Sequence, residues 1–173
     1  MTERGVEPFD QARFDKARLN TELGLPAAVT LAQIWRRVIG QVIDQLVVLI
    51  PMIAIAFAAG VRTTDDLSSK AFGLNIAVIA TAFAYECCMI AVWGRTIGKF
   101  ALGTRAVRVD TAGPVLWSSA AVRALVPLAA GVIPGVGFVL SIAVYAPAMF
   151  DKRQQGWHDK AAGTIVVLNG SVP

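Results

Sequence analysis

Apolar and polar stretches alternate along the chain on the length scale of a lipid bilayer. Residues 38–60, VIGQVIDQLVVLIPMIAIAFAAG, are apolar apart from Gln41, Asp44 and Gln45. A helix of that length, at ~1.5 Å per residue, reaches roughly 34 Å and crosses a hydrocarbon core of about 30 Å. Pro51 predicts a kink, tolerated where neighbouring helices satisfy the freed carbonyl. After a short polar loop, VRTTDDLSSK (61–70), residues 71–93 form a second span closed by Trp93, an indole suited to the interface. Residues 94–116 are basic and glycine-punctuated, and predict a short amphipathic piece followed by a turn around DTAGP. Residues 117–150 are apolar but broken by Pro127, PGVG (134–137) and Pro147. They read either as one long kinked span or as a hairpin of two short arms.

Positive charge orients these segments. Arg4, Arg13, Lys16, Arg18, Arg36 and Arg37 precede or open the first span, and Arg95, Lys99, Arg105 and Arg108 follow the second. The intervening loop holds only Arg62 and Lys70. The N-terminus and the second loop are therefore expected inside. The tail carries Lys152, Arg153 and Lys160, and placing it inside too requires an even number of crossings, which favours the hairpin. The expected architecture is an all-α integral membrane bundle of three or four membrane segments. Residues 1–30 precede it as a polar cytoplasmic leader, helical in part from Phe9 to Asn20 and without a core of its own.

Composition agrees with lipid as the solvent: of 173 residues, 55% are hydrophobic and 16% charged. The net charge of +4 sits beside apolar runs rather than along a basic, aromatic-interleaved stripe, so nucleic acid is not an expected partner. Cys87 and Cys88 are adjacent in an apolar segment and read as small buried residues, neither disulfide nor metal site. The polar N-terminal stretch lacks the apolar region of a cleaved signal.

Three ionisable residues fall inside the apolar segments. Asp44 lies seven residues beyond Arg37, two turns along one face. Glu86 precedes Trp93 by seven residues, and Arg123 follows Trp117 by six, so all three converge on one depth. A charge in hydrocarbon costs about 2.5–3.5 kcal/mol even on insertion scales, so the three are expected to meet in the bundle interior. One reading is a structural Asp44–Arg123 ion pair with Glu86 protonated. The other is a cation or proton site in a transport path.

Three blocks carry a family resemblance: RRVIGQVID entering the first span, YECCMIAVWGRTIGKFALGTRAVRV, and DKRQQGWHDKAAGTIVV. Over roughly residues 31–168 the chain resembles the RDD family of small bacterial membrane proteins, named for one arginine and two aspartates. The resemblance implies Arg37 as the arginine, with Arg36 beside it, Asp44 as the first aspartate, and Asp159 as the second with Asp151 as the fallback. It also implies a multi-pass protein of the bacterial cell (inner) membrane. Some family members are associated with exchange of sodium or lithium for protons; others accompany unrelated proteins as a membrane module.

Other motifs point to no catalysis. GRTIGKFALGTR has too few residues between Gly94 and Gly98, and lacks the Ser or Thr after Lys99 that a phosphate loop needs. Arg95, Lys99 and Arg105 instead suit anionic lipid headgroups at the inner surface, or serve as a topology anchor. The single His158, next to Asp159, has no nucleophile or second ligand near it in sequence and reads as docking the tail. PGVG reads as a turn between two helices, or as a substrate-lining break. The expected function is non-enzymatic, without cofactor or metal. Its leading form is cation or proton movement through an intramembrane carboxylate. The alternative is a scaffold or accessory subunit of a larger membrane complex. Partners expected are the bilayer and either further copies of the chain or a membrane complex.

Overall fold

In the computed structural model, residues 8–131 and 136–171 are described. Two helices dominate: α2 (Ile34–Ala58) and α3 (Thr64–Trp93), of 25 and 30 residues. Both are long and apolar enough to cross a membrane, and little of either is buried within the protein. Leu49, Ile50 and Phe57 of α2 lie at least half exposed. Such a surface is stable only against lipid or another apolar partner. Pro51 sits inside α2, which continues through it.

The loop between the two long helices is shorter than the expected 61–70, because Thr63 opens α3 early. Its hydroxyl accepts from the Asp66 N–H, and the Asp66 carboxylate accepts from the Thr63 N–H, a reciprocal capping box. At the other end Gly94, at φ +69°, stops α3 in the left-handed conformation that glycine adopts without strain.

The remainder packs mostly at one end of this helix pair. Helix α4 (Ile97–Ala101) lies against α2. Strand β1 (Thr104–Arg108) pairs antiparallel with β2 (Thr164–Leu168), Ala106 facing Val166. This sheet corrects the all-α expectation, although the chain is mostly helical. TRAVR and TIVVL are short runs with β-branched residues, bounded by Gly103 and Gly163, both at positive φ. The expected leader is also more than a tail. Helix α1 (Pro8–Glu22) leads into a segment whose Leu25 and Val29 bury against Val107, Ile165 and Val167. The Ala32 N–H donates to the Val166 carbonyl (2.9 Å), so this segment lines the outer edge of β2.

The apolar stretch 117–150 is not one long span. Helix α5 (Trp117–Gly131) and the seven-residue α6 (Gly137–Ala143) pack on each other, and a 3-10 turn (Ala146–Met149) follows. Helices α5 and α6 are shorter than the 17-residue arms of the hairpin reading; Pro134 and Gly135 of the expected turn lie outside the described residues. Helix α7 (Trp157–Ala162) then packs against α5.

Gly98 is where α4 and α2 touch. A Cβ there would lie 1.9 Å from the Gly40 carbonyl oxygen, a backbone atom that cannot yield. Gly98→Ala is expected to force α4 off α2 and to destabilise by at least about 1–3 kcal/mol, read as a lower melting midpoint in detergent. Gly73→Ala, where a Cβ meets nothing within 4 Å, should leave the midpoint unchanged or raise it; equal losses for both would show that the contact does not matter.

Candidate functional site

Two buried carboxylates organise the end where α2, α3, α4, α5 and α7 meet. Asp44, 6% exposed, is saturated by its neighbours. Its Oδ1 accepts from the Tyr85 hydroxyl (2.7 Å) and the Gly98 N–H (2.8 Å). Its Oδ2 accepts from the Thr96 hydroxyl (2.5 Å) and lies 3.7 Å from Lys99 Nζ. The first aspartate thus fastens the start of α4 to α2. The approach of Gly40 to Gly98 brings those N–H and hydroxyl donors within reach.

Asp159 is fully buried on α7. Arg37 from α2 pairs with Oδ2 and Arg123 from α5 with Oδ1. The Gly156 N–H also donates to Oδ2 (3.2 Å), and Arg123 donates to the Thr164 hydroxyl at the start of β2 (3.0 Å). One carboxylate therefore ties three helices and the sheet together. Arg37 also donates to the Gln154 carbonyl, held in a loop that Asp151 shapes by accepting from the Arg153 and Gln155 N–H groups (3.0 and 3.1 Å). Arg36 points elsewhere, over the Trp35 ring and onto the Leu102 carbonyl. Of the paired candidates, Arg37 and Asp159 meet; Arg36 and Asp151 do not join this pair.

The expected Asp44–Arg123 pair does not form. Arg123 pairs with Asp159 and, through Nε, with Glu86 Oε1 at 3.7 Å, while Asp44 pairs with Lys99. Equal depth in two helices does not specify which side chains face each other; the donors to Asp44 come from α3 and the start of α4, and the competing carboxylate from α7. Lys99 also departs from its expected headgroup contact, being only 7% exposed. Arg95 lies over the Phe100 ring, and Arg105 packs across Gly94, both half-buried. Tyr85, Thr96 and the two glycines escaped the sequence reading; the one available signal was a Thr three residues before Lys99, the spacing of a cap.

His158 is buried, its ring 4.4 Å from that of Tyr145 and its Nε2 3.5 Å from Asp159 Oδ2. It docks the tail, as expected. Burial first, and then the charges of Arg123, Arg37 and Lys99, push it well below its ordinary value, so it stays neutral. Burial, reinforced by Arg123, likewise lowers Lys99 against the pull of Glu86 and Asp44.

Above this layer opens a cavity of about 950 Å³ between α2, α3, α5 and α6. Arg37, Glu86, Lys99, Arg123 and His158 line one part of it. Val38, Val42, Ile76, Ile79, Leu128 and Ile142 form apolar walls, with Gln41, Gln45 and Asn75 among them. Neither Asp44 nor Asp159 lines the cavity; Glu86 is the carboxylate that does. Among the described residues no cluster of ligating side chains suits a metal ion.

Asp159→Asn leaves two buried guanidiniums without their shared counter-charge, and should cost about 3–5 kcal/mol, seen as collapse of the monodisperse peak and melting midpoint. Glu86→Gln should be much milder, since its contact to Arg123 is long and it is partly exposed; equal damage would contradict the shared-counter-ion role of Asp159. The sign of the His158 effect follows from linkage. The unfolded chain takes up a proton near pH 6.5 while the folded one does not, so stability falls as pH drops below that value. His158→Gln should flatten the loss of midpoint between about pH 7.5 and about pH 5.5, and an unchanged slope would refute it.

The sequence model of the RDD family matches residues 31–163, which include the Arg37, Asp44 and Asp159 centres and nearly all of the cavity's lining. No curated protein and no solved structure matches the chain. The match spans most of the sequence, and the chain belongs to the RDD family of membrane proteins.

Proposed function

We propose that this RDD protein is a non-enzymatic module of the bacterial inner membrane, its N-terminus cytoplasmic, that binds an anionic solute in the cavity between α2, α3, α5 and α6. The observation that carries this reading is the sign of the lining charge. Arg37, Lys99 and Arg123 line the cavity against the single carboxylate of Glu86, because the other two carboxylates are turned into saturated pairs behind them. A site rimmed by three cationic side chains repels sodium or lithium and attracts an anion, and the low dielectric around it strengthens both effects. Asp44, with its acceptor positions filled by Tyr85, Thr96 and Gly98, acts as a structural clamp and not as an ion ligand.

Cation–proton exchange keeps one specific foothold. Glu86 lines the cavity, and its Arg123 contact is longer than a hydrogen bond, so it is the carboxylate that a cation entering the cavity would meet. The two readings give opposite results for Glu86→Gln. Inorganic phosphate should raise the melting midpoint of the purified protein, by up to about 2.7 kcal/mol of stability at a hundredfold excess over Kd, and more in Glu86→Gln. Sodium or lithium at matched ionic strength should not. Cation-dependent dissipation of a pH gradient in proteoliposomes, lost in well-folded Glu86→Gln and retained in Asp44→Asn, would replace anion binding with exchange.

A further inference from the structure

The shape and chemistry of the cavity specify more than an anion. Its apolar walls are exposed in the folded chain: Val38 and Val42 on α2, Ile76 on α3 and Ile142 on α6 are each about half exposed. All four also line the cavity. Helix α2 packs on α3 and α4, α3 on α5, and α5 on α6, but no comparable packing joins α2 to α6 among the described residues. The cavity is thus walled by exposed apolar side chains and charged at the end near α4 and α7. A water-soluble anion would leave those walls bare, whereas an amphiphile covers walls and charges together.

One further observation points into the charged end. Arg123, 2% exposed and lining the cavity, has a buried Nε without a hydrogen-bond partner, its approach to Glu86 Oε1 being a long 3.7 Å. Buried polar atoms are rarely left without partners, and an orphaned donor in a guanidinium beside an open cavity is where a ligand oxygen belongs. The volume of about 950 Å³ lies at the top of the ~300–1,000 Å³ range of ligand sites, more than a phosphate or sulfate fills.

We propose that the cavity holds an anionic membrane lipid taken from the surrounding leaflet. Its phosphate sits at the end lined by Arg37, Lys99 and Arg123, and an acyl chain lies against Val42, Ile76, Ile79 and Leu128. This rests on the anion-binding reading and deepens it by naming the ligand class. It moves headgroup contact from the outward-facing basic residues to the interior, with Lys99 belonging to the cavity and not to the protein surface. Glu86 acts against the phosphate and tempers its affinity.

Native mass spectrometry of the full chain, released from detergent after exchange with defined lipids, tests this. Phosphatidylglycerol should be retained roughly tenfold or more over phosphatidylcholine, whose phosphate is the same but whose quaternary ammonium meets the repulsion of Arg37, Lys99 and Arg123. Val42→Trp and Ile79→Trp, which fill the wall without touching the ion pairs, should each reduce phosphatidylglycerol retention severalfold at unchanged melting midpoint, and Glu86→Gln should increase it. Two wall positions on different helices guard against one variant misfolding. Equal retention of the two lipids, or phosphatidylglycerol retention indifferent to both tryptophans, would overturn the lipid site. A parallel arm with glycerol phosphate separates the two levels. Retention of glycerol phosphate but not of the lipid would sink the lipid inference and leave the anion cavity standing; retention of neither would sink both.

Discussion

The end of this protein where α2, α5 and α7 meet depends on the neutralisation of two buried guanidiniums by one carboxylate. Among the described residues, Arg37 and Arg123 come from helices that make no extensive contact with each other, and Asp159 pairs with both. Electrostatics this deep is unforgiving: a paired charge is tolerable, and an unpaired one costs several kcal/mol. The packing of α7 on α5, the return of the chain as β2, and the docking of the segment around Leu25 and Val29 onto that strand all hang from the same point. The second centre, at Asp44, does for α4 what Asp159 does for α7, with neutral hydroxyl and amide donors supplying most of the bonds.

The spans and the family were legible in the residues because length, hydropathy and three sequence blocks each carry their signal locally. The depth of Glu86 and Arg123 was legible too, and the two do meet. What could not be read was the partner of Asp44. Helical periodicity gives a residue's height and face, but apart from Tyr85 on α3 the residues that satisfy Asp44 sit at or just before the start of α4, a five-residue helix that touches α2 where Gly40 approaches Gly98. The sheet was hidden for a related reason. Its strands are five residues each and are separated by α5, α6 and α7, so neither shows the hairpin signature that two strands joined by a tight turn would give. The leader misled by being polar: its anchorage rests on two side chains, Leu25 and Val29, and on Asn20, whose amide donates to the Ala27 and Val29 carbonyls (3.0 and 2.8 Å).

Arg37, Asp44 and Asp159, which the resemblance implies as the signature, therefore do not form one site. They divide into a clamp for α4 and a shared counter-ion for α2 and α5, both behind the cavity. In this arrangement the conspicuous intramembrane aspartate is framework, and the cavity presents the charges that the framework leaves over. Glu86, absent from the three-residue signature, is the acidic group that faces whatever enters.

The capping and pairing also fix an order of assembly. Arg37 and Asp159 are 122 residues apart in the chain. Until α7 is made, Arg37 lacks Asp159, and Arg123 has only its long contact to Glu86. The last part of the domain to be made therefore supplies the counter-charge for the first.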